Sequence, residues 1–281
     1  MTLADFELHE IERANASGLR PVVFVHGLWL LPSSWQRWRA LFEEHGYTTL
    51  APGWPDDPET VEEARAHPER FAGKSLHAIS AHYADAIGRL ARKPAIVGHS
   101  FGGTLTQMLA GEGRADASVA IDPAPFRGVL PLPFSSLKSA APVLANPANR
   151  DRAKSLTFEQ FTYGWANNLD AAEARALFEE FHVAGPGRPL FQAAFSNFDP
   201  RSEDKVNTEN PDRGPMLLVS GEHDHTVPWA VVHAEYEKQA RNPGVTDLAI
   251  IQGRGHSLVI DHGWREVALV ALDFLRQHAP S

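Results

Sequence analysis

Residues 98–102 read Gly98-His99-Ser100-Phe101-Gly102, preceded by the apolar run Ala95-Ile96-Val97 and followed by Leu105, Met108 and Leu109 at helical spacing. No other local pattern in the chain restricts the fold as much. A serine with glycine two positions away on either side suits a turn too sharp for larger side chains. There a strand runs straight into a helix that packs back upon it. The turn strains the serine backbone and lifts its hydroxyl out of the sheet. Gly111 and Gly113 supply stop signals for the helix. A chance glycine-rich turn is the bland alternative, and the flanking strand and helix argue against it.

The same strand-then-helix rhythm runs through both ends of the chain. Residues 6–13 read as an outer strand, and Pro21 to Val25 as a strand ending at His26-Gly27. Residues 34–45 look helical, with Trp35, Trp38, Leu41 and Phe42 on one face. A strand near Thr48 to Ala51 leads into a proline- and acid-rich surface excursion over 55–75. A helix over 77–91, the Ile96 strand, the Ser100 turn and a strand over 118–121 ending at Asp122-Pro123 follow. Further strands are expected over 216–220 and 247–251, with helices over 228–239 and 263–278. Alternation of this kind predicts an α/β fold with a mostly parallel central sheet covered by helices on both faces.

Between Ala124 and Pro215 the rhythm breaks. Pro123, Pro125, Pro131 and Pro133 interrupt regular structure, and short helical patterns rich in aromatics follow. Thr157 with Gln160, and Asp170 with Glu173, have capping-box spacing. Phe191, Ala194, Phe195 and Phe198 repeat as a helical stripe, read more readily as core than as a binding surface. The expected organisation is a core built from residues 1–123 and 216–281, with 124–215 inserted as a helical cap.

With 281 residues, 43% of them hydrophobic, the chain can bury one large core together with such an insertion. Its net charge of −9, without a long run of either sign, argues against a nucleic-acid partner. There is no cysteine, so disulfides, thiolate nucleophiles and cysteine-ligated zinc are excluded. The first residues lack the basic-then-apolar pattern of a secretory leader, and no apolar run reaches the ~20 residues of a membrane span. A cytoplasmic protein acting on a small molecule, without a membrane partner, is the expectation; oligomeric state is left open.

A serine hydroxyl needs a base to become a nucleophile, and the base needs a carboxylate to orient it. In open α/β sheets such groups gather at the carboxyl ends of strands. Three strand exits carry suitable residues: His26-Gly27-Leu28-Trp29, then Gly221-Glu222-His223-Asp224-His225-Thr226-Val227-Pro228, then Gly253-Arg254-Gly255-His256-Ser257. Together with the Ser100 pentapeptide, in the order serine, acid, histidine, these residues resemble the α/β-hydrolase superfamily. The likeness is to serine hydrolases of esterase and lipase type with a helical cap, and it spans roughly Pro21 to His278.

Carried over position by position, the resemblance implies Ser100 as nucleophile, Asp224 as acid and His256 as base. The backbone N–H groups of Leu28 and Phe101 would form the oxyanion hole. Asp122 and Glu222 compete for the acid role, and His262 for the base. His26 is expected to fix the oxyanion loop, and Trp29 and Val227 to meet the substrate. Arg127 is either a partner for a substrate carboxylate or a solvated side chain. His223 and His225 have the spacing of a metal pair but read better as loop residues, so no metal and no cofactor is called for.

The resemblance implies hydrolysis of carboxylic esters of small, apolar or aromatic substrates. Serine at the turn argues against dehalogenases and epoxide hydrolases, which place aspartate there. Alternatives on the same residues are a lactonase, a carbon–carbon hydrolase, a perhydrolase- or haloperoxidase-type side activity, and a non-catalytic small-molecule receptor. Ser257 directly after the histidine counts against the carbon–carbon hydrolases, which often have an aromatic residue there.

Overall fold

The computed structural model describes residues 2–279. The chain enters through helix α1 (Asp5–Ser17) and strand β1 (Arg20–Val25), then α2 (Gln36–Glu44) and β2 (Tyr47–Leu50). Helices α3 (Val61–Ala66) and α4 (Leu76–Gly88) precede β3 (Ala95–His99), α5 (Phe101–Gly111) and β4 (Ala117–Ile121). A long passage holds α6 (Phe134–Leu144), β5 (Ala153–Lys154), α7 (Phe158–Gly164), α8 (Ala171–Phe181), β6 (Gly185–Pro186) and α9 (Arg188–Phe195). The alternation then resumes with β7 (Met216–Gly221), α10 (Trp229–Gln239), β8 (Thr246–Ile251) and α11 (Trp264–His278).

Six strands form one sheet in the order β2-β1-β3-β4-β7-β8, and each neighbouring pair is parallel. Strands covered on both faces should read as continuous apolar runs. Accordingly, β1, β3, β4 and β7 are buried along their whole length. Helix α2 packs on α11, and α4 on α5, as the helical layers of the sheet. Phe24 of β1 anchors an aromatic cluster there, stacked on Trp35 at 5.1 Å and edge-on to Phe42 at 5.3 Å.

Register brings the strand ends together. Val25 lies opposite Gly98, Gly98 opposite Ala120, His99 opposite Ile121, and Ile121 opposite Val219. The residues just beyond these positions therefore share one end of the sheet.

Three local expectations are corrected. Residues 6–13 are helical rather than a strand: Glu7, Ile11 and Ala14 bury one face at spacings of four and three, and Gly18 closes the helix in the left-handed region. The 55–75 excursion, expected on the surface, is partly interior, since α3 forms behind a Thr60 cap and Ala64 and Phe71 are buried. The aromatic stripe near 191–198 does not form core, because Phe195 and Phe198 are exposed. Of the two capping boxes, Thr157–Gln160 is reciprocal, whereas Asp170 caps α8 through the N–H groups of Ala172 and Glu173.

The β4-to-β7 passage is hydrogen-bonded to the rest of the chain along much of its length. The short antiparallel pair β5–β6 lies against the loop after β1. There the Trp29 indole N–H donates to the Lys154 carbonyl at 2.9 Å, and the Val183 N–H donates to the Trp29 carbonyl at 3.1 Å. After α7, Trp165 is buried and its carbonyl accepts from Ser257 N–H at 3.0 Å.

Candidate active site

Ser100 stands between β3 and α5 with φ 56° and ψ −125°, a left-handed conformation that a non-glycine residue adopts only under constraint. Close packing supplies the constraint. A Cβ on Gly98 would lie 2.1 Å from the Gly102 carbonyl oxygen, and one on Gly102 would lie 2.0 Å from that of Val25. Ser100 N–H donates to Ile121 O, and its carbonyl accepts from Gly103 and Ala124 N–H, so neighbouring strand and helix grip the turn from both sides.

The imidazole of His256, on the loop between β8 and α11, faces the Ser100 hydroxyl. Its Nε2 is 3.0 Å from Ser100 Oγ, and its Nδ1 is 2.6 Å from Asp224 Oδ2. With Nδ1–H donating to the carboxylate, Nε2 is left bare to accept the serine proton. The other carboxylate oxygen, Oδ1, accepts from the N–H groups of Thr226 and Val227 at 2.6 and 2.8 Å. All three residues are buried. The acid and histidine loops brace each other, because His223 N–H donates to the Arg254 carbonyl at 2.8 Å.

The loop after β1 passes directly beside the serine. A Cβ on Gly27 would lie 2.9 Å from Ser100 Cβ and 3.5 Å from its Oγ. Leu28 follows in that loop, and Phe101 opens α5, where the first N–H groups have no acceptor within the helix. His26 anchors the loop from behind. Its Nδ1 is 2.9 Å from the Gly27 carbonyl, its Nε2 is 3.3 Å from Asp57 Oδ2, and its ring stacks on Trp54 at 5.2 Å. Burial alone would raise the Asp57 carboxyl, but the His26 hydrogen bond and the Lys74 ammonium outweigh it and hold the group below the usual range.

Trp29 and Val227, both expected at the substrate, are buried. Trp29 adopts φ 63° and is tied to the β5–β6 segment, while Val227 meets Asp224 through its backbone. Two of the competing residues, His262 and Glu222, lie elsewhere. His262 is exposed and pairs with Glu173, and Glu222 is exposed and accepts from Gly253 N–H. Arg127 docks its guanidinium on the Pro200 carbonyl at 3.1 Å. His223 is exposed, and His225 Nδ1 lies 3.0 Å from the Tyr163 carbonyl.

Three further residues neighbour the site. His99 packs its ring on His256 at 4.7 Å and against Trp165 at 5.4 Å. Burial, reinforced by the charge His256 can carry, pushes the His99 imidazole well below the ordinary histidine value, so it stays neutral. Trp165 sets its edge on His256 at 4.6 Å. Asp122, weighed only as a rival acid, lies beside Asp224, as described below. The single signal for His99 was its place inside the pentapeptide; Asp57 and Lys74 carried none. Among the described residues, one group has the residue types and proximity to hold a metal: His99, Asp122 and His256, each offering an atom within 4.8 Å of the others. It belongs to this same hydrogen-bonded centre. No helix among the described residues is long and apolar enough to cross a membrane.

Comparison with known proteins agrees with this architecture. Solved structures with the same fold include an extracellular α/β-hydrolase from a Paenibacillus species, described as sharing structural and functional homology with tobacco salicylic acid binding protein 2. It is 18% identical with a TM-score of 0.65, over 93% of this chain and 100% of that one. Polyneuridine aldehyde esterase matches at 18% identity and TM-score 0.62, over 91% and 98% of the two chains. The monoacylglycerol lipase of Paleococcus ferrophilus matches at 18% and 0.61, over 92% and 94%. At such identities the likeness is one of fold. No curated protein matches the sequence. The model of the alpha/beta hydrolase family, however, matches residues 22–269, nearly the whole of the sheet and its helices, and the chain belongs to that family.

Proposed function

We propose that this protein is a serine hydrolase that cleaves carboxylic esters of small, apolar or aromatic substrates through an acyl-enzyme. One observation carries the reading: the unbroken chain from Ser100 Oγ through His256 to Asp224, at 3.0 and 2.6 Å, on residues drawn from three separate strand exits. A solvated surface histidine has no reason to sit in such an arrangement, with all three side chains out of water.

His256 Nε2 takes the Ser100 proton as Oγ attacks the ester carbonyl. The Asp224 carboxylate stabilises the imidazolium that forms. The tetrahedral oxyanion is received by the N–H groups of Leu28 and Phe101, which are fixed in place before the reaction begins. His256 then hands the proton to the leaving alkoxide. Water, activated by the same imidazole, hydrolyses the acyl-enzyme and restores Ser100. The chemistry uses side chains and backbone alone.

Residues 124–215 act as a lid in this reading, supported by the contacts of β5 and β6 with Trp29 and of Trp165 with His256. The buried, apolar surroundings of the serine, with Leu28, Phe101 and Trp165, favour uncharged substrates, since an unpaired charge there is costly to bury. The proposed setting is cytoplasmic, and the proposed partner is a small ester taken from solution.

The test is Ser100→Ala, assayed against a panel of esters of graded acyl length with lactones included, alongside fluorophosphonate labelling of the wild-type protein. Labelling should vanish in the variant, and turnover should fall by on the order of 10⁴ or more. Labelling that persists on another residue removes the assignment, and lactones turned over faster than every open-chain ester would move the substrate class.

A further inference from the structure

Asp122 follows the last residue of β4 and is fully buried in a left-handed backbone conformation, φ 39°. One carboxyl oxygen, Oδ1, accepts the Gly221 N–H at 2.8 Å. The other, Oδ2, has no donor among the described residues. Yet an Asp122 oxygen lies within 4.8 Å of a His256 ring nitrogen, His256 Nδ1 holds Asp224 Oδ2 at 2.6 Å, and the Asp224 carboxylate acts on Asp122 both as a charge and as a hydrogen-bond partner. Two ionised carboxylates at that range, both out of water, would repel strongly. A carboxylic acid resolves the geometry, because it has one end that accepts and one that donates.

We propose that Asp122 is a neutral carboxylic acid that donates its proton to the Asp224 carboxylate, making it the positioning residue for the acid of the Ser100–His256–Asp224 chain. The inference rests on the hydrolase reading for its kinetic consequence, but not for its geometry. Asp224 then receives four donors: Thr226 N–H, Val227 N–H, the His256 ring and Asp122 O–H. These fix the carboxylate plane in line with Nδ1. They also share out its charge. Burial first, and the Asp224 charge second, push the Asp122 carboxyl well above the ordinary range, against the opposing pull of Gly221 N–H. The other titratable groups facing Asp122 are His256 and His99, one atom of each lying within 4.8 Å of an Asp122 oxygen. His99, held neutral, adds no charge to oppose a proton on Asp122.

The assignment separates two substitutions. Asparagine reproduces both ends of the acid, its amide oxygen toward Gly221 N–H and its amide N–H toward Asp224. Leucine keeps the volume and supplies no donor. Asp122→Leu should lower kcat by on the order of 10²-fold with KM changed far less, and should move the acidic limb of the kcat/KM profile to higher pH, since Asp224 keeps more of its charge for the imidazolium. Asp122→Asn should recover most of the lost kcat and return the limb toward its wild-type position. If Asp122 is instead ionised, both variants delete a negative charge near His256 and both move the limb to lower pH. That outcome, or no movement in either variant, overturns the proposal.

Infrared difference spectra between wild-type protein and Asp122→Asn at pH 7 decide the protonation state with no substrate, and serve if Asp122→Leu does not fold. Subtraction cancels the other buried acids, Asp204, Glu235 and Asp261 among them. A protonated carboxyl C=O band that is present in wild type and lost in the variant supports the assignment. A carboxylate band lost instead overturns it. Because this measurement is independent of turnover, failure of the ester-hydrolase reading and failure of the Asp122 assignment are told apart.

Discussion

The α-hydrogen of Gly27 faces a space that no methyl group can share. A Cβ there would meet the His99 carbonyl oxygen and Ser100 Cβ, each at 2.9 Å. Both neighbours are held by the strained turn and cannot give way, so the loop itself must retreat and carry the Leu28 N–H with it. Gly27→Ala is therefore expected to lower kcat by on the order of 10²-fold, the usual cost of a misplacement near 1 Å, while KM and folding change less. Unchanged steady-state kinetics would mean that Leu28 takes no part in stabilising the oxyanion. The acid can be ranked in the same assay. Asp224→Asn removes the group that selects the His256 tautomer and should lower kcat by about 10⁴, whereas Asp122→Asn, which keeps a donor in place, should cost far less. The reverse order would transfer the acid role to the end of β4.

At the scale of elements, what the sequence disclosed depended on how local the cause was. The elbow at Ser100 is a short-range matter of glycine and steric contact, and the buried strands are short apolar runs, so both were legible. The convergence of Ser100, Asp224 and His256 was readable because strand exits in a parallel sheet share one end. Helix α1 was misread since its buried face, Glu7, Ile11 and Ala14, mixes a carboxylate with apolar residues. That Glu7 is buried against partners far along the chain, His82 at 2.8 Å and the Gly53 N–H at 3.1 Å. Asp57, Lys74 and the partnership of Asp122 with Asp224 were invisible for the same reason, being contacts between distant segments with no spacing rule. The aromatics of α7 also divide in a way the stripe alone did not reveal. Phe161 stacks on Trp165 at 5.9 Å and meets Phe178 and His182, which makes it interior to the 124–215 passage, whereas Trp165 meets His256. Phe161→Ala should thus cost about 3–5 kcal/mol of stability, as large-to-small changes of buried aromatics do, with relative rates across the ester panel preserved. Trp165→Leu should alter those relative rates and lower kcat. Denaturant unfolding alongside the panel separates the two, and Phe161→Ala reordering the substrates with stability intact would refute the division.

Across the whole molecule, buried acids and buried histidines set opposing demands on pH. Asp204 is fully buried with neither carboxyl oxygen partnered, and burial pushes it up to about 8. Glu235 is raised too, by burial first and against the donation of the Gln107 amide at 2.5 Å, and Asp122 joins them. For a raised acid, the unfolded chain gives up its proton near pH 4 while the native state retains it. Between those two values the unfolded state binds fewer protons, and stability falls as pH rises. His182 runs the other way. Burial, with the Arg65 charge second, lowers it to about 4, so its contribution is complete above the unfolded histidine value and is lost as pH falls toward 4. His99 behaves likewise. Above about pH 6.5 the contribution of His99 and His182 fades as their unfolded imidazoles lose the remaining protons, and the acids come to dominate. Stability should therefore decline from pH 6.5 toward 8, by at most about 1.4 kcal/mol per pH unit for each acid that keeps its proton. Asp204→Asn removes one such group without removing its volume, so the decline should be shallower in that variant, most clearly at pH 8. Urea unfolding at pH 6.5 and 8 on both proteins measures the slopes. A wild-type stability that rises across this interval, or equal slopes in the two proteins, would show that Asp204 is already ionised in the native state.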